Sequence, residues 1–142
     1  MPPATALTLR QEHERLDARL NRLRELADAL DDAEGGKAVE LITEANRVVQ
    51  EVTAHERADE SNVYPRLAKF LSDSHGLGAM SRAHREILHL GRLLDRLATD
   101  LSPGDADRYL VRDAQRVIEA VEALVRVHNA QEEDIYEHAA TA

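Results

Sequence analysis

The chain has 142 residues, of which 43% are hydrophobic, 3% are aromatic and none is cysteine, and its formal net charge at pH 7 is −9. Disulfides, thiolate metal sites and cysteine nucleophiles are therefore excluded, and the negative charge argues against nucleic acid and anionic membranes as partners. Residues 1–7 lack the basic and apolar regions of a signal peptide. No apolar run approaches the ~20 residues of a membrane span. We expect one cytoplasmic domain over residues 1–142, as a monomer or weak homodimer.

The first two predicted helices form a hairpin. Apolar residues recur every three or four positions over residues 8–32, and the glycine pair at 35–36 ends this first helix. The second helix covers residues 37–71, and Pro65 should kink or end it near Tyr64 because proline lacks a backbone N–H. The apolar seams of these helices are Leu9, Leu16, Leu20, Leu23 and Leu30, and then Leu41, Ala45, Val48 and Val52.

The third and fourth predicted helices form a second hairpin. A loop over residues 72–78 leads to the third helix at 79–100, and Ser102-Pro103 starts the fourth, which covers 103–139. Their seams are Met80, Ile87, Gly91, Leu94 and Ala98, and then Ala114, Val117, Val121, Leu124 and Ile135. Because short connections make successive helices antiparallel, the sequence predicts an all-α fold, an antiparallel up-down-up-down four-helix bundle.

Polar side chains interrupt every seam at positions where a core residue is expected. They are His13 in the first helix, His55 and Asp59 in the second, His84 in the third, and His128 and Glu132 in the fourth. A buried carboxylate or imidazole is costly unless it is paired, and six such groups have too few donors to satisfy one another. A cation that accepts all six as ligands resolves the problem, so the pattern indicates a metal site.

The position of each histidine along its helix supports the same interpretation. In an antiparallel bundle, the beginnings of the first and third helices share one end with the finishes of the second and fourth. His13 and His84 lie near helix beginnings, and His55 and His128 lie near helix ends, so all four are predicted at one level. Each hairpin carries one histidine and then a His-x-x-x-carboxylate pair, whose members lie ~40° apart around a helix. Two facing half-sites indicate two metal ions.

These motifs resemble those of the hemerythrin-like (HHE cation-binding) family. Residues 55–65, HERADESNVYP, are similar to its second-helix motif H-x-x-x-E-E-x-x-L-[YF]-P, and residues 128–136, HNAQEEDIY, are similar to its fourth-helix motif H-x-x-x-E-E. The resemblance implies a non-haem di-iron centre, bridged by two carboxylates and an oxo or hydroxo group, with manganese or zinc as possible substitutes for iron. The ligands that it implies are His13, His55, Asp59, His84, His128 and Glu132.

The chain departs from the family pattern at two ligand positions. Asp59 stands where glutamate is usual and is one methylene shorter, and Glu60, the alternative, is rotated ~140° from His55. Oxygen-carrying hemerythrins have a second histidine four residues after the first on helix three, but here His89 comes one residue late. We therefore expect four histidine ligands with an open or solvent-filled position, and we keep Glu60, His89 and Glu56 as secondary candidates.

Two tyrosines, Tyr64 and Tyr136, follow the second-helix and fourth-helix motifs at similar offsets. Each is expected either to hydrogen-bond a ligand or an iron-bound oxygen species, or to pack with its hydroxyl at the end of the bundle.

The resemblance implies a protein that binds or reduces O2, peroxide or NO. Because the histidine set is incomplete, we expect redox chemistry, in the manner of a peroxidase, a catalase or an NO-handling protein, rather than reversible O2 carriage. Three alternatives stay open: an iron or redox sensor or iron-trafficking module, a di-iron oxygenase acting on a small organic substrate, and a metal-free structural bundle.

Overall fold

Five α-helices form most of the computed structural model, which describes residues 3–71 and 75–141. They are α1 Pro3–Ala29, α2 Gly35–Ala58, α3 Tyr64–Leu67, α4 His75–Ala98 and α5 Arg108–Thr141. Short 3-10 turns follow α1 and α3, at Leu30–Asp32 and Ala68–Phe70, and a π-helical segment, Asp59–Val63, joins α2 to α3. Among the described helices, none is both long enough and apolar enough to cross a membrane.

The helices pack as a four-arm bundle, in which α2, the π segment and α3 together form the second arm. Helix α1 lies against α2 and α5, and α4 lies against the same two helices on the other side. The predicted all-α up-down-up-down bundle is confirmed. Since each arm has two neighbours, each must turn a broad apolar stripe inward.

The core is built from the predicted seams. Leu20, Leu23, Leu30, Ala45, Val52, Ile87, Leu94, Ala114 and Val121 are all almost completely buried. Gly91 lies where α4 meets α2, and a Cβ placed on it would come within 2.8 Å of Thr53 Cγ2. The missing side chain of Gly91 therefore lets these two helices approach closely, which explains a glycine in the middle of a helix.

The second arm is interrupted before Pro65, but α2 ends at Ala58 and not near Tyr64, where α3 begins. Pro65 lies in the first turn of α3, and the chain before it widens into the π-helical segment, where the N–H of Tyr64 bonds to the carbonyl of Asp59. Proline has no N–H to continue the i to i−4 ladder, and its ring crowds the preceding turn, so the ladder changes register there. The π segment begins at Asp59, one of the predicted ligands.

Several predicted helix ends are wrong. Helix α1 begins at Pro3, not at residue 8, and it ends before the glycine pair. Gly35, with φ +59°, instead opens α2, and its N–H donates to the carbonyl of Ala106 at 3.1 Å. A left-handed φ of this kind favours glycine, so the pair serves the turn and not the end of α1.

The second hairpin also differs from its predicted bounds. Helix α4 begins at His75, within the predicted loop, of which residues 72–74 lie outside the described residues. Helix α5 begins at Arg108 and not at Pro103, because Asp107 is its cap: Asp107 Oδ1 accepts the N–H of Leu110 at 3.0 Å. Ser102 bonds Asp105 in the preceding turn, at 2.8 Å.

Candidate metal centre

A layer of buried polar side chains crosses the bundle between two apolar clusters. The larger cluster fills the bundle on one side, and a smaller cluster that includes Leu67, Met80 and Tyr136 closes the other end. The buried polar residues of this layer are His13, Glu56, Asp59, His84, His128 and Glu132, and the His55 side chain is 18% exposed. Apolar residues on both sides keep bulk water away, which strengthens every electrostatic interaction within the layer.

Four of these side chains form a first group, which we call the Glu56 group: Glu56, His84, His128 and Glu132. Oε2 of Glu56 lies 2.8 Å from Nε2 of His84 and 3.2 Å from Nε2 of His128. Nε2 of His128 also lies 3.2 Å from Oε1 of Glu132. Helices α2, α4 and α5 thus each bring at least one donor atom to the same point.

Three side chains form a second group, which we call the Asp59 group: His13, His55 and Asp59. Oδ2 of Asp59 lies 3.1 Å from Nε2 of His55, and the rings of His13 and His55 are 6.1 Å apart. Nε2 of His13 lies 3.2 Å from Oε1 of Glu132, so Glu132 faces both groups. The structure therefore brings all six predicted ligands into one layer and divides them between two groups.

Several oxygen and nitrogen atoms of the layer that could bind a metal ion have no hydrogen bond. They are both carboxylate oxygens of Glu56, Oδ2 of Asp59, Oε1 of Glu132, Nε2 of His55 and Nδ1 of His128. A buried polar group without a partner costs about 1–3 kcal/mol, and a charged one costs more. Yet ring nitrogens and carboxylate oxygens stand only 2.8–3.2 Å apart. Atoms that bind one ion at about 2.0–2.2 Å are separated by about this distance, so these residues fit a metal ion with N/O ligands.

The charges of the layer hold protons on its histidines when no metal competes. Burial opposes the charge of His128, but the adjacent Glu132 and Glu56 carboxylates outweigh this effect and raise its pKa to about 9. Burial would also raise the pKa of Glu132, but His128 and His13 outweigh it and hold that pKa well below its usual range. A metal ion must displace these protons, so metal binding is linked to pH.

Both tyrosines lie in the layer and hydrogen-bond the same oxygen. The hydroxyls of Tyr64 and Tyr136 donate to Oε2 of Glu132 at 2.5 Å and 3.2 Å. Tyr64 also stacks on the His84 ring, and its hydroxyl is 3.0 Å from Nε2 of His84. Burial and the charge of Glu132 raise the pKa of both phenols, which therefore stay protonated. Of the two expectations for these tyrosines, the structure shows the hydrogen bond to a predicted ligand, Glu132, for both.

Two carboxylates outside the layer contact the far sides of its histidine rings. Oε2 of Glu60 lies 2.9 Å from Nδ1 of His84, and Ser81 donates to the other Glu60 oxygen at 2.7 Å. Oε1 of Glu133 lies 3.4 Å from Nδ1 of His13. A carboxylate behind a ring nitrogen fixes the tautomer that turns the other nitrogen toward a metal. Sequence reasoning did not identify Glu133 in this role.

The three secondary ligand candidates, Glu56, Glu60 and His89, lie in different positions relative to the layer. Glu56 is fully buried within the Glu56 group, Glu60 lies behind His84, and His89 is exposed and belongs to neither group. Glu56, which was kept only as a secondary candidate, lies about 100° around the helix from His55. The sequence could nevertheless have indicated Glu56, because a helix that packs against two neighbours buries a face wide enough to include a residue about 100° from His55.

Residues 6–140 match the family model described as Hemerythrin HHE cation binding domain. No curated protein and no solved structure matches the chain.

Proposed function

The chain belongs to the hemerythrin HHE cation-binding family, and on this basis we propose that it holds two iron ions and reacts with O2, peroxide or NO. The observation that carries the proposal is the pair of adjacent buried donor groups, both of which face Oε1 of Glu132. One donor group would account for one ion, and the shared carboxylate supports a second ion beside it.

The ligand residues are compatible with iron, but it is the proposed redox chemistry that favours iron over other metals. Imidazole and carboxylate ligands without sulfur also suit manganese and zinc, so the ligands alone do not select among these metals. Iron supplies the chemistry that the proposal needs, since each ion exchanges one electron between its ferrous and ferric states. Zinc has no redox chemistry and would not supply this electron exchange.

The burial of the centre favours small molecules as its ligands. A surface groove of about 270 Å³ between α1 and α2 is lined by Glu12, Arg15, Leu16, Arg19, Glu51 and His55, so His55 is the layer residue nearest to it. His128, Glu56 and Glu132 are at most 1% exposed. These features favour a diatomic molecule or peroxide over an organic substrate.

Metal analysis of the purified protein tests the proposal first. We expect two iron ions per chain after anaerobic reconstitution, and His128→Ala should lose metal whereas His89→Ala, at an exposed position, should not. Fewer than two iron ions per chain in the reconstituted protein would refute the two-iron proposal.

Titration of the ferrous protein with hydrogen peroxide tests the chemistry. Each peroxide takes two electrons and two protons to give two waters, so one equivalent should oxidise both irons of a chain. Mixing with O2 should oxidise the protein irreversibly. A reversible, long-lived adduct with O2 would instead indicate oxygen carriage.

A further inference from the structure

The outer face of α4 carries a concentration of arginines. With histidine counted as neutral, this helix has four arginines and two carboxylates, a formal charge of +2, in a chain whose net charge is −9. Arg82, Arg85, Arg92 and Arg96 are all exposed. Because successive residues of a helix are rotated by about 100° and rise by about 1.5 Å, the four lie within about 80° of one another and extend over about 21 Å of the axis. We call this surface the arginine stripe.

The arginines of the stripe have no partners within the described part of the chain, where none of them forms an ion pair or donates a hydrogen bond. Arginines of the other long helices differ in this respect. Six of them form ion pairs with carboxylates, namely Arg10, Arg19, Arg22, Arg47, Arg108 and Arg126. The positive charge of the stripe is therefore left to act on molecules that approach from solvent.

Carboxylates border the stripe on both sides. The exposed Glu86 lies about 40° around α4 from Arg82, and Asp95 lies about 60° from Arg92 and accepts a hydrogen bond from Asn46 of α2 at 3.0 Å. A broad polyanion such as DNA or an anionic membrane would meet these carboxylates together with the rest of a negatively charged surface. A protein with a narrow acidic ridge would meet the arginines alone. Charge complementarity thus favours an acidic protein as the partner.

The stripe begins next to a point where the surface approaches the buried layer. His84, a residue of the layer, lies between Arg82 and Arg85 in the chain, and its Nδ1 is 2.9 Å from Oε2 of Glu60. Ser81 donates to the other Glu60 oxygen at 2.7 Å. The Glu60 side chain is 46% exposed, so one side chain separates solvent from the His84 ring. A protein docked on the stripe would therefore lie close to the centre, although the centre itself is buried.

From this charge and this position together, we propose that the arginine stripe docks an acidic protein that carries one electron at a time and reduces the metal centre. The proposal rests on the two-iron function inferred above and adds its source of electrons. Hydrogen peroxide takes two electrons from each chain. Each docked carrier gives up one electron and converts one ferric ion to ferrous, so two carriers restore one chain. The transfer itself forms and breaks no bond.

The chemistry of the stripe suits a brief encounter. An exposed ion pair contributes little to affinity, because water and salt screen it. A concentrated surface charge nevertheless raises association rates about 10- to 1,000-fold by steering the partner. Complexes between electron-transfer proteins have small interfaces. Fast association and fast release allow one carrier to be replaced by the next.

An acidic 2Fe–2S ferredoxin of the plant type is the probe for the stripe. Stopped-flow mixing of the reduced ferredoxin with the ferric protein measures the rate of reduction, and calorimetric titration with the oxidised ferredoxin measures binding without electron transfer. In about 0.02 M salt, Arg85→Glu combined with Arg92→Glu should lower the rate constant and the affinity at least about tenfold. In about 0.3 M salt most of this difference should disappear.

The matched control changes the net charge equally at another place. Arg24 on α1 and Arg112 on α5 are exposed and, like the arginines of the stripe, form no ion pair among the described residues. Arg24→Glu combined with Arg112→Glu should keep the rate constant within about threefold of the unmodified protein. An equal loss in both double variants would show an effect of net charge alone and would overturn the stripe as a docking surface.

The remaining outcomes separate the docking proposal from the proposed function. Circular dichroism and iron analysis verify that each variant is folded and loaded before rates are compared. Fewer than two iron ions in the unmodified protein would refute the two-iron function. Two iron ions, with no binding of ferredoxin or with binding that the stripe variant retains, would overturn docking alone. Preferential binding of a DNA duplex or of phosphatidylserine vesicles, lost in the stripe variant, would overturn the choice of an acidic protein.

Discussion

The metal-free protein should lose stability as the pH rises from 6 to 9, because of His128. Its pKa is about 9 in the folded protein and 6.5 when unperturbed. A group whose pKa is raised by folding contributes stability that is complete below the unfolded value and is lost as the pH rises through the folded value. Glu132, whose pKa is lowered, contributes stability above about 4.5 that is lost in acid. Stability should therefore be greatest between about pH 4.5 and 6.5.

The size of the effect follows from the difference between the two pKa values. Each unit of pKa difference between the folded and unfolded states corresponds to about 1.4 kcal/mol. The rise from 6.5 to about 9 for His128 thus corresponds to about 3 kcal/mol. The contributions of His128 and Glu132 describe the same ion pair, so they are not added together.

Urea unfolding at a series of pH values measures this effect. We expect the free energy of unfolding of the chelated protein to fall by about 3 kcal/mol between pH 6 and 9. His128→Gln should reduce the slope, and His89→Gln, at an exposed position, should leave it unchanged. Metal-loaded protein should show the opposite trend, because protons compete with the metal for the same nitrogens. A metal-free protein that is equally stable at pH 6 and 9 would refute the reasoning.

Three further predictions concern packing, ring orientation and metal removal. Gly91→Ala places a Cβ 2.8 Å from Thr53, and we expect thermal unfolding to show a net loss of about 1 kcal/mol, since overpacking outweighs the better helix propensity of alanine. Adding Thr53→Ser should restore stability, and Gly36→Ala, which meets no atom within 4 Å, should cause no loss. Glu60→Ala should weaken metal affinity about tenfold in titrations, as the ring of His84 loses its orienting carboxylate, and unchanged affinity would show that Glu60 has no such role. Chelation should lower the melting temperature. Removing metal that was present at a free concentration of about 100 times its Kd should cost about 2.7 kcal/mol of stability. Helical circular dichroism should remain, since the larger apolar cluster lies outside the centre, and an unfolded metal-free protein would contradict this expectation.

Much of the fold could be read from local periodicity. The seam residues Leu20, Ala45, Ile87 and Val121 are buried as predicted, because three- and four-residue spacing places side chains on one face whatever the neighbours are. Helix ends were less predictable. Asp107, and not the Ser102-Pro103 pair, caps α5, since several residues in that turn are suitable caps and the packing of the turn selects among them.

The site was predictable in its position and incomplete in its membership. The level of each histidine along its helix follows from bundle topology, and the His-x-x-x-carboxylate spacing identifies groups on one face. Glu56 was only a secondary candidate, and Glu133, which contacts Nδ1 of His13 from the neighbouring arm, was not identified. A contact of this kind depends on how two helices are rotated against each other, which no local pattern specifies.

By itself the sequence determined a helical bundle with polar groups gathered at one level, because helical periodicity and chain connectivity are local properties. Only the tertiary structure decided how those groups are divided. The rotation of α2 between α1 and α4 sends Glu56 and Asp59 to different histidines, and the approach of Tyr64 and Tyr136 leaves Glu132 a single free oxygen. These outcomes depend on packing between residues far apart in the chain, and that packing determines which donor atoms meet.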